Sequence, residues 1–152
     1  MIVYRLVKSR YSDDLSGKGA ENCGGRWNSL GVPVLYACQS RALAMAEVAV
    51  HVPLGILPQD YILLTLYLPD EGGSITLPVS KFPPDWNHYP PISSTQRIGD
   101  AFIKEAKYLA MQVPSAVVQE DFITLINPYH SSFHQIKVLN KSPFIFDRRL
   151  FQ

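Results

Sequence analysis

The segment Val32-Pro33-Val34-Leu35-Tyr36-Ala37 is followed by Ser40-Arg41-Ala42-Leu43-Ala44-Met45-Ala46-Glu47-Val48-Ala49-Val50-His51-Val52, and together they indicate the fold class. The first segment is rich in β-branched and aromatic residues, which predicts a strand. The second consists mainly of helix-forming residues, begins at a serine suited to cap a helix and precedes Pro53. It therefore predicts a helix over residues 40–52. A strand followed directly by a helix indicates a protein that combines both element types.

Segments on both sides continue this mixed pattern. Residues 95–107 have the apolar spacing of an amphipathic helix, residues 9–25 predict a long loop, and the proline-rich residues 78–91 predict an ordered loop that could serve as a lid. Further strands are predicted at residues 2–7, 61–68, 74–77, 110–118, 122–126, 135–139 and 144–147. We therefore predict an α+β fold with a mixed β-sheet core, in a single domain over residues 1–152.

Composition and charge limit the classes of function. A chain of 152 residues with 47% hydrophobic residues is large enough for one folded domain with its own core. Fourteen Lys and Arg against thirteen Asp and Glu give a formal charge of +1, so we predict no direct nucleic-acid binding. The apolar runs are too short to span a bilayer, and the N-terminal residues do not have the pattern of a leader peptide. We expect a cytoplasmic protein that does not associate with membranes.

The cysteines and histidines do not have the spacing of a disulfide framework or of a metal site. Cys23 and Cys38 form no CxxC pair, so we expect both to be reduced and structural. His130 and His134 have helix-face spacing but no third ligand nearby in the sequence. We therefore predict no metal site.

Glu47 is the most informative polar residue, because it interrupts the predicted apolar helix. At about 100° per residue it shares a narrow stripe with Ser40 and His51, while the rest of the helix is expected to be buried. A carboxylate in such a place must be paired, protonated or exposed to a cleft. The pattern fits a functional site and a buried salt bridge to Arg41 or Arg26 equally well.

Three other polar residues are candidates, and each also has an ordinary structural explanation. Arg26 follows two glycines and could bind a phosphate, although an arginine after a turn is usually solvated. The Tyr36 ring could stack on a planar heterocycle or simply belong to the core. Ser115 lies in a Val-rich predicted strand, where its hydroxyl could bond to a ligand or to a backbone carbonyl. His130, after Asn127-Pro128, could orient a catalytic group or lie in a solvated loop.

The order of several motifs resembles that of the RES-domain proteins, a family named for a recurring arginine, glutamate and serine. The resemblance covers nearly the whole chain, and the GGRWN and VPSAVV segments are its most specific parts. One departure is Ser131, where the family often has proline. The matching motifs are Val3-Tyr4-Arg5, Leu15-Ser16-Gly17-Lys18-Gly19-Ala20, Gly24-Gly25-Arg26-Trp27-Asn28, Val34-Leu35-Tyr36-Ala37, Leu43-Ala44-Met45-Ala46-Glu47, Val113-Pro114-Ser115-Ala116-Val117-Val118 and Asn127-Pro128-Tyr129-His130.

The resemblance implies a fold similar to the ADP-ribosyltransferase toxins and membership of a type II toxin–antitoxin system. The partner would be a separate helix-turn-helix antitoxin of the Xre type, and a homodimer within the complex is compatible with this arrangement. The implied activity is cleavage of the nicotinamide–ribose bond of NAD, with NAD as substrate and no cofactor. Water is the expected acceptor. Transfer to phosphate, transfer to a protein, or an inactive module that only binds the antitoxin are the alternatives.

The resemblance also implies roles for individual residues. Glu47, Arg26 and Tyr36 would be catalytic, with Arg26 and Tyr36 also binding the substrate together with Ser115. Glu47 would stabilise positive charge that develops on the ribose, as carboxylates do in glycosidases. Further candidates for the site are Ser40, His51 and His130.

Overall fold

Seven strands form one mixed sheet in the computed structural model, which describes all of residues 1–152. The strands lie in the order β4-β5-β6-β2-β1-β3-β7, and only β4 and β5 are parallel. The prediction of an α+β fold on a mixed sheet is confirmed. The strands are β1 (Ile2–Lys8), β2 (Leu35–Cys38), β3 (Tyr61–Tyr67), β4 (Ser74–Thr76), β5 (Ala110–Pro114), β6 (Phe122–Ile126) and β7 (Lys137–Phe144).

Three α-helices accompany the sheet: α1 (Lys18–Cys23), α2 (Arg41–Ala49) and α3 (Ser93–Glu105). None is both long and apolar enough to cross a membrane. Ser40 caps α2 as predicted, because its side chain accepts a hydrogen bond from the N–H of Leu43. α1 lies within the stretch that was predicted to be a loop.

Alternation along the strands buries apolar residues on both faces of the sheet. One face carries the larger core cluster, to which α2 contributes Leu43 and Ala44, and α3 contributes Phe102 and Ile103. The other face is built from a second cluster, including Leu35, Leu64 and Leu66, and is covered by loop residues such as Leu15 and Phe133. The core therefore lies in two layers with the sheet between them.

Helix α2 is less buried than its composition predicted. Only Leu43 and Ala44 are fully buried in it, while Arg41 and Ala42 are exposed and the remaining residues, including Glu47, are half-buried. The helix packs on β1 and β2 through one side alone. The expectation of burial on all sides was wrong, because alanine tolerates exposure at little cost.

The last strands also differ from the prediction. β5 ends at Pro114, so Ser115 lies in the turn that follows and not inside a strand. Residues 135–139 and 144–147 were predicted as two strands, but the structure has one strand, β7, which runs through the gap between them and in which Pro143 pairs with Ile62. Residues 135–136 and 145–147 lie outside it. β7 lies at the edge of the sheet, where a proline is tolerated because half of the backbone groups have no strand partner.

Candidate active site

A cleft of about 860 Å³ lies where β1, β2 and α2 meet. β1 and β2 pair at a single position, Tyr4 opposite Cys38, so the two strands are weakly joined beside the cleft. Further walls come from the turn at residues 24–27, from residues 116–117 and from the segment 87–91. A concave site of this volume is large enough for a nucleotide-sized ligand.

The carboxylate of Glu47 is held in this wall by one defined hydrogen bond. Ser115 Oγ donates to Glu47 Oε1 over 2.6 Å. The same hydroxyl oxygen accepts hydrogen bonds from the N–H groups of Val117 and Val118, at 3.0 and 2.9 Å. Because a serine hydroxyl has a single proton, these two bonds direct that proton toward the carboxylate. Glu47 takes part in no ion pair, so the buried salt bridge considered as an alternative is absent.

Arg26 lines the cleft and is also bound to the protein backbone. Its Nη1 donates to the carbonyl oxygens of Trp86, at 2.9 Å, and His88, at 2.8 Å. Burial lowers the pKa of the guanidinium, and the nearby Glu47 carboxylate opposes that shift. The group remains positively charged at neutral pH, because the ordinary pKa of arginine is above 12.

Tyr36 places its ring in the cleft wall and uses its hydroxyl to hold the adjacent turn. The hydroxyl donates to Asn28 Oδ1 at 2.7 Å and accepts from the N–H of Trp27 at 3.3 Å. Burial raises the pKa of this phenol, so it stays protonated. The turn passes so close that a Cβ at Gly25 would lie 3.0 Å from the Tyr36 oxygen and 2.9 Å from Asn28 Oδ1. Glycine is therefore required there by close packing.

A second cation, Arg5, lies in the cleft wall on β1. Its Nη1 donates to the backbone oxygen of Tyr36 at 2.7 Å, across the weakly paired strands. Its Nε is buried and has no hydrogen-bond partner. Burial lowers the pKa of this guanidinium, against opposing effects of Asp14 and Cys38. Because Arg5 forms no ion pair, it retains donors for an anionic ligand.

Helix α3 fixes the turn that carries Arg26. Gln96 Nε2 donates to the carbonyl oxygen of Gly25 at 3.0 Å. The carboxylate of Asp100 accepts from both the N–H and the hydroxyl of Ser29, at 2.9 and 2.5 Å. Gly99 lies between them against the backbone of Trp27, where a Cβ would come within 1.6 Å of the carbonyl oxygen. The turn therefore has a rigid support.

The structure brings together some of the predicted site residues and separates others. Arg26, Tyr36, Glu47 and His51 line one cleft. The buried Ser115 does not line it, but reaches it through Glu47. Ser40 is engaged as the cap of α2 and lies outside the cleft lining.

His130 also lies outside the cleft lining, in a turn that its own ring helps to close. Its Nδ1 accepts a hydrogen bond from the N–H of Ser132 at 3.0 Å. The neighbouring Asn127 is fully buried and donates to the carbonyl oxygens of Phe102 and Ile103 in the last turns of α3. In this structure the Asn-Pro-Tyr-His motif is a structural connection between β6 and α3.

Among the cleft-lining residues that sequence reasoning did not single out are Tyr4, Arg5, Asn87 and Tyr89. The first two lie in a predicted strand. Arg5 could have been recognised as a candidate, because arginine is unusual in a strand near the centre of a sheet. The other two lie in the proline-rich segment, whose path depends on tertiary contacts. No local pattern could have placed them beside Glu47.

Comparisons with known proteins agree with this architecture. Residues 2–147 match the family model described as the RES domain. The chain is 36% identical over 152 residues to "Toxin Res" of Photorhabdus laumondii, covering 99% of this chain and 97% of that protein. It is 35% identical over 142 residues to "Prs ADP-ribosylating toxin" of a Sphingobium species, covering 91% and 88%. A chain in the crystal structure of the M. tuberculosis MbcT-MbcA toxin-antitoxin complex has the same fold, with a TM-score of 0.71, 22% identity and coverage of 99% and 86%.

Proposed function

The chain belongs to the RES domain family, and we propose that it is a toxin of a toxin–antitoxin pair that cleaves the nicotinamide–ribose bond of NAD. Full-length similarity to a protein named Toxin Res and to one named as an ADP-ribosylating toxin supports both parts of the proposal. NAD would be the substrate, with no additional cofactor.

The observation that carries the proposed chemistry is the carboxylate of Glu47, unpaired with any cation and held in the cleft by Ser115. In NAD the nicotinamide leaves as a neutral molecule, and the ribose carbon that it leaves becomes electron-poor in the transition state. A fixed carboxylate stabilises that charge as it develops, and it needs no reorganisation at the moment of reaction. Glu47 would therefore act on the ribose.

The other residues of the cleft would bind and orient the substrate. Arg5 lines the cleft and forms no ion pair, which supports it as the cation for the pyrophosphate. The ring of Tyr36 would pack against the nicotinamide, since its hydroxyl is already engaged with Asn28. His51, exposed at the end of α2, would lie at the mouth of the cleft.

Water is our proposed acceptor, which makes the enzyme an NAD glycohydrolase. The oxygen of water then bonds to the ribose carbon as the bond to nicotinamide breaks, giving ADP-ribose, nicotinamide and a proton. Transfer of ADP-ribose to a protein is the second candidate, because a relative with 35% identity is named an ADP-ribosylating toxin. Both reactions use the same bond cleavage and differ in the acceptor.

We propose a separate antitoxin as the partner, with a DNA-binding helix-turn-helix domain of the Xre type. A protein with the same fold was crystallised in a toxin-antitoxin complex, which supports a partner of this kind. The formal charge of +1 gives this chain no general attraction for DNA, so operator binding would belong to the antitoxin.

The test is to incubate the purified chain with NAD, alone, with phosphate and with cell extract, and to identify the products by mass. Free ADP-ribose and nicotinamide without extract would support hydrolysis. ADP-ribose attached to a protein only when extract is present would support the second candidate. The matched control is Glu47→Gln, which should form product roughly 100 to 1000 times more slowly than wild type. Intact NAD with wild-type protein in all three mixtures would refute the proposal.

A further inference from the structure

The segment 78–91 is joined to the rest of the protein by few hydrogen bonds, and Arg26 is the donor of all those that leave the segment. Within the segment, the N–H of Trp86 bonds to Pro83 and the N–H of His88 to Asp85, both in local turns. No other backbone or side-chain bond links residues 78–91 to a strand, helix or distant loop. The two bonds from Arg26 Nη1 are therefore its polar attachment.

The residue next to Arg26 contributes to the apolar attachment of the same segment, whose Phe82 and Trp86 are buried in the larger core cluster. The ring of Trp27 is 1% exposed and packs edge-on against Phe82, with centroids 5.1 Å apart, and against Trp86 at 6.2 Å. Arg26 and Trp27 are in turn fixed by α3 and by Tyr36. Arg26 and Trp27 thus bind the segment from one rigid turn, through hydrogen bonds and aromatic contacts respectively.

The carbonyls that Arg26 binds flank the part of the segment that reaches the cleft. Asn87 lies between Trp86 and His88, and both Asn87 and Tyr89 line the cleft. The Tyr89 side chain is 82% exposed, so its ring is available to a planar group that enters from solvent. The position of this wall depends on where Arg26 holds the backbone.

We infer that Arg26 is a positioning residue, which holds segment 78–91 so that Asn87 and Tyr89 form a substrate-contacting wall of the cleft. The substrate class is a dinucleotide, with the Tyr89 ring packing against one of its bases, and this part rests on the proposed function. Arg26 thereby acts through the segment, and its guanidinium is not the main phosphate ligand. Arg5, which lines the cleft and forms no ion pair, is better placed for that role.

The chain offers a direct reporter, because its only two tryptophans are Trp27 and Trp86. In the absence of any ligand, Arg26→Ala should shift tryptophan emission to longer wavelength and increase quenching by acrylamide. Trypsin should also cut after the exposed Lys81 several-fold faster than in wild type, as followed by fragment mass. Arg97→Ala on the exposed side of α3 is the matched control and should change none of these.

The kinetic test uses Tyr89→Ala, which leaves Arg26 in place. Loss of base stacking should raise the KM for NAD roughly tenfold. The double variant Arg26→Ala with Tyr89→Ala should then be little worse than Arg26→Ala, because the wall is already displaced. Arg26→Lys keeps a donor, so its acrylamide quenching should exceed that of wild type but stay below that of Arg26→Ala. This variant tests the inference even if circular dichroism shows that Arg26→Ala folds poorly.

Two results would overturn the inference. The first is a folded Arg26→Ala protein whose KM for NAD is raised but whose tryptophan emission, acrylamide quenching and cleavage at Lys81 are unchanged. Arg26 would then contact the substrate directly. The second is an unchanged KM in Tyr89→Ala. If wild-type protein consumes no NAD, the proposed function fails, while fluorescence and proteolysis still decide whether Arg26 holds the segment.

Discussion

At the scale of single residues, the three hydrogen bonds of the Ser115 hydroxyl connect stability with the proposed chemistry. The hydroxyl joins two backbone N–H groups to the Glu47 carboxylate. Ser115→Ala should lower the free energy of unfolding by about 1–3 kcal/mol, because it leaves these partly buried groups without their partner. It should also reduce turnover, since Glu47 is no longer held in one orientation.

Glu47→Gln is the informative comparison, because the amide oxygen can still accept the bond from Ser115. We expect it to lower kcat by a factor of roughly 100 to 1000, typical for loss of a charge-stabilising group, with little loss of stability. Urea unfolding and steady-state kinetics on both variants would separate the two effects. A Glu47→Gln protein as unstable as Ser115→Ala, or one with wild-type turnover, would contradict the assignment.

The two cysteines should differ sharply in reactivity. Burial raises the pKa of the Cys38 thiol to about 12, and the nearby Glu47 carboxylate adds to that shift. Cys23 is exposed. Because the thiolate is the reactive form, iodoacetamide at pH 8 should label Cys23 in the native protein and Cys38 only after denaturation. Mass analysis of the two peptides gives the result, and equal labelling would show that Cys38 is accessible.

The same shift predicts a pH dependence of stability. The pKa of Cys38 is higher in the folded than in the unfolded state, so its contribution is complete below about pH 9 and is lost as the pH rises toward about 12. Between pH 8 and pH 10 the free energy of unfolding, measured with urea, should therefore decrease less for Cys38→Ala than for wild type. An equal decrease would mean that other groups account for the loss.

At the scale of elements, helix α3 supports the turn that carries Arg26, and Gly99 sets how closely the two approach. Helix propensity alone would favour alanine at this position by up to about 1 kcal/mol. The Cβ would however come within 1.6 Å of the Trp27 carbonyl oxygen, and backbone there cannot move freely. Gly99→Ala should destabilise the protein by about 3 kcal/mol, toward the upper end for overpacking.

Gly19 in α1 is the matched control, because it is exposed and a Cβ there would contact nothing within 4 Å. Gly19→Ala should raise stability by up to about 1 kcal/mol, as expected from helix propensity. Thermal melts of both variants test the pair. Similar small changes of the same sign would mean that α3 and the turn move apart easily.

The elements also show which features a sequence can predict. Helix α2 was predicted because its cap and its composition are local, and β3 because its apolar run is long. α1 has only six residues, two of them unfavourable to a helix, so its stability depends on tertiary packing. β7 can contain Pro143 because the strand lies at the edge of the sheet, and only the order of the strands shows that position.

The same division applies to the candidate site. Glu47 was recognisable as a carboxylate in an apolar helix, and Ser115 entered through a motif, but the bond between them spans 68 residues of sequence. The unpartnered Nε of Arg5 and the wall formed by Asn87 and Tyr89 arise from how the strands diverge and how segment 78–91 is held. Local patterns contain no information on either arrangement.

At the scale of the whole molecule, the proposed function requires that a partner control an open cleft. The cleft already lies open to solvent in the isolated chain, and the formal charge of +1 provides no attraction to DNA. If the proposed function holds, expression of the chain alone should lower cellular NAD and stop growth. Co-expression with the product of the neighbouring gene should restore both, because a bound partner prevents access to the cleft.

The control for that experiment is Glu47→Gln expressed at the same level of folded protein. It keeps the surface that a partner would recognise and removes the charge proposed to act on the ribose, so growth and NAD should be normal. Purified variant should still form a complex with the antitoxin in gel filtration. Growth arrest by Glu47→Gln with normal NAD would show that toxicity arises from another activity of the molecule. Normal growth and NAD with abundant folded wild-type protein would argue against an NAD-consuming toxin.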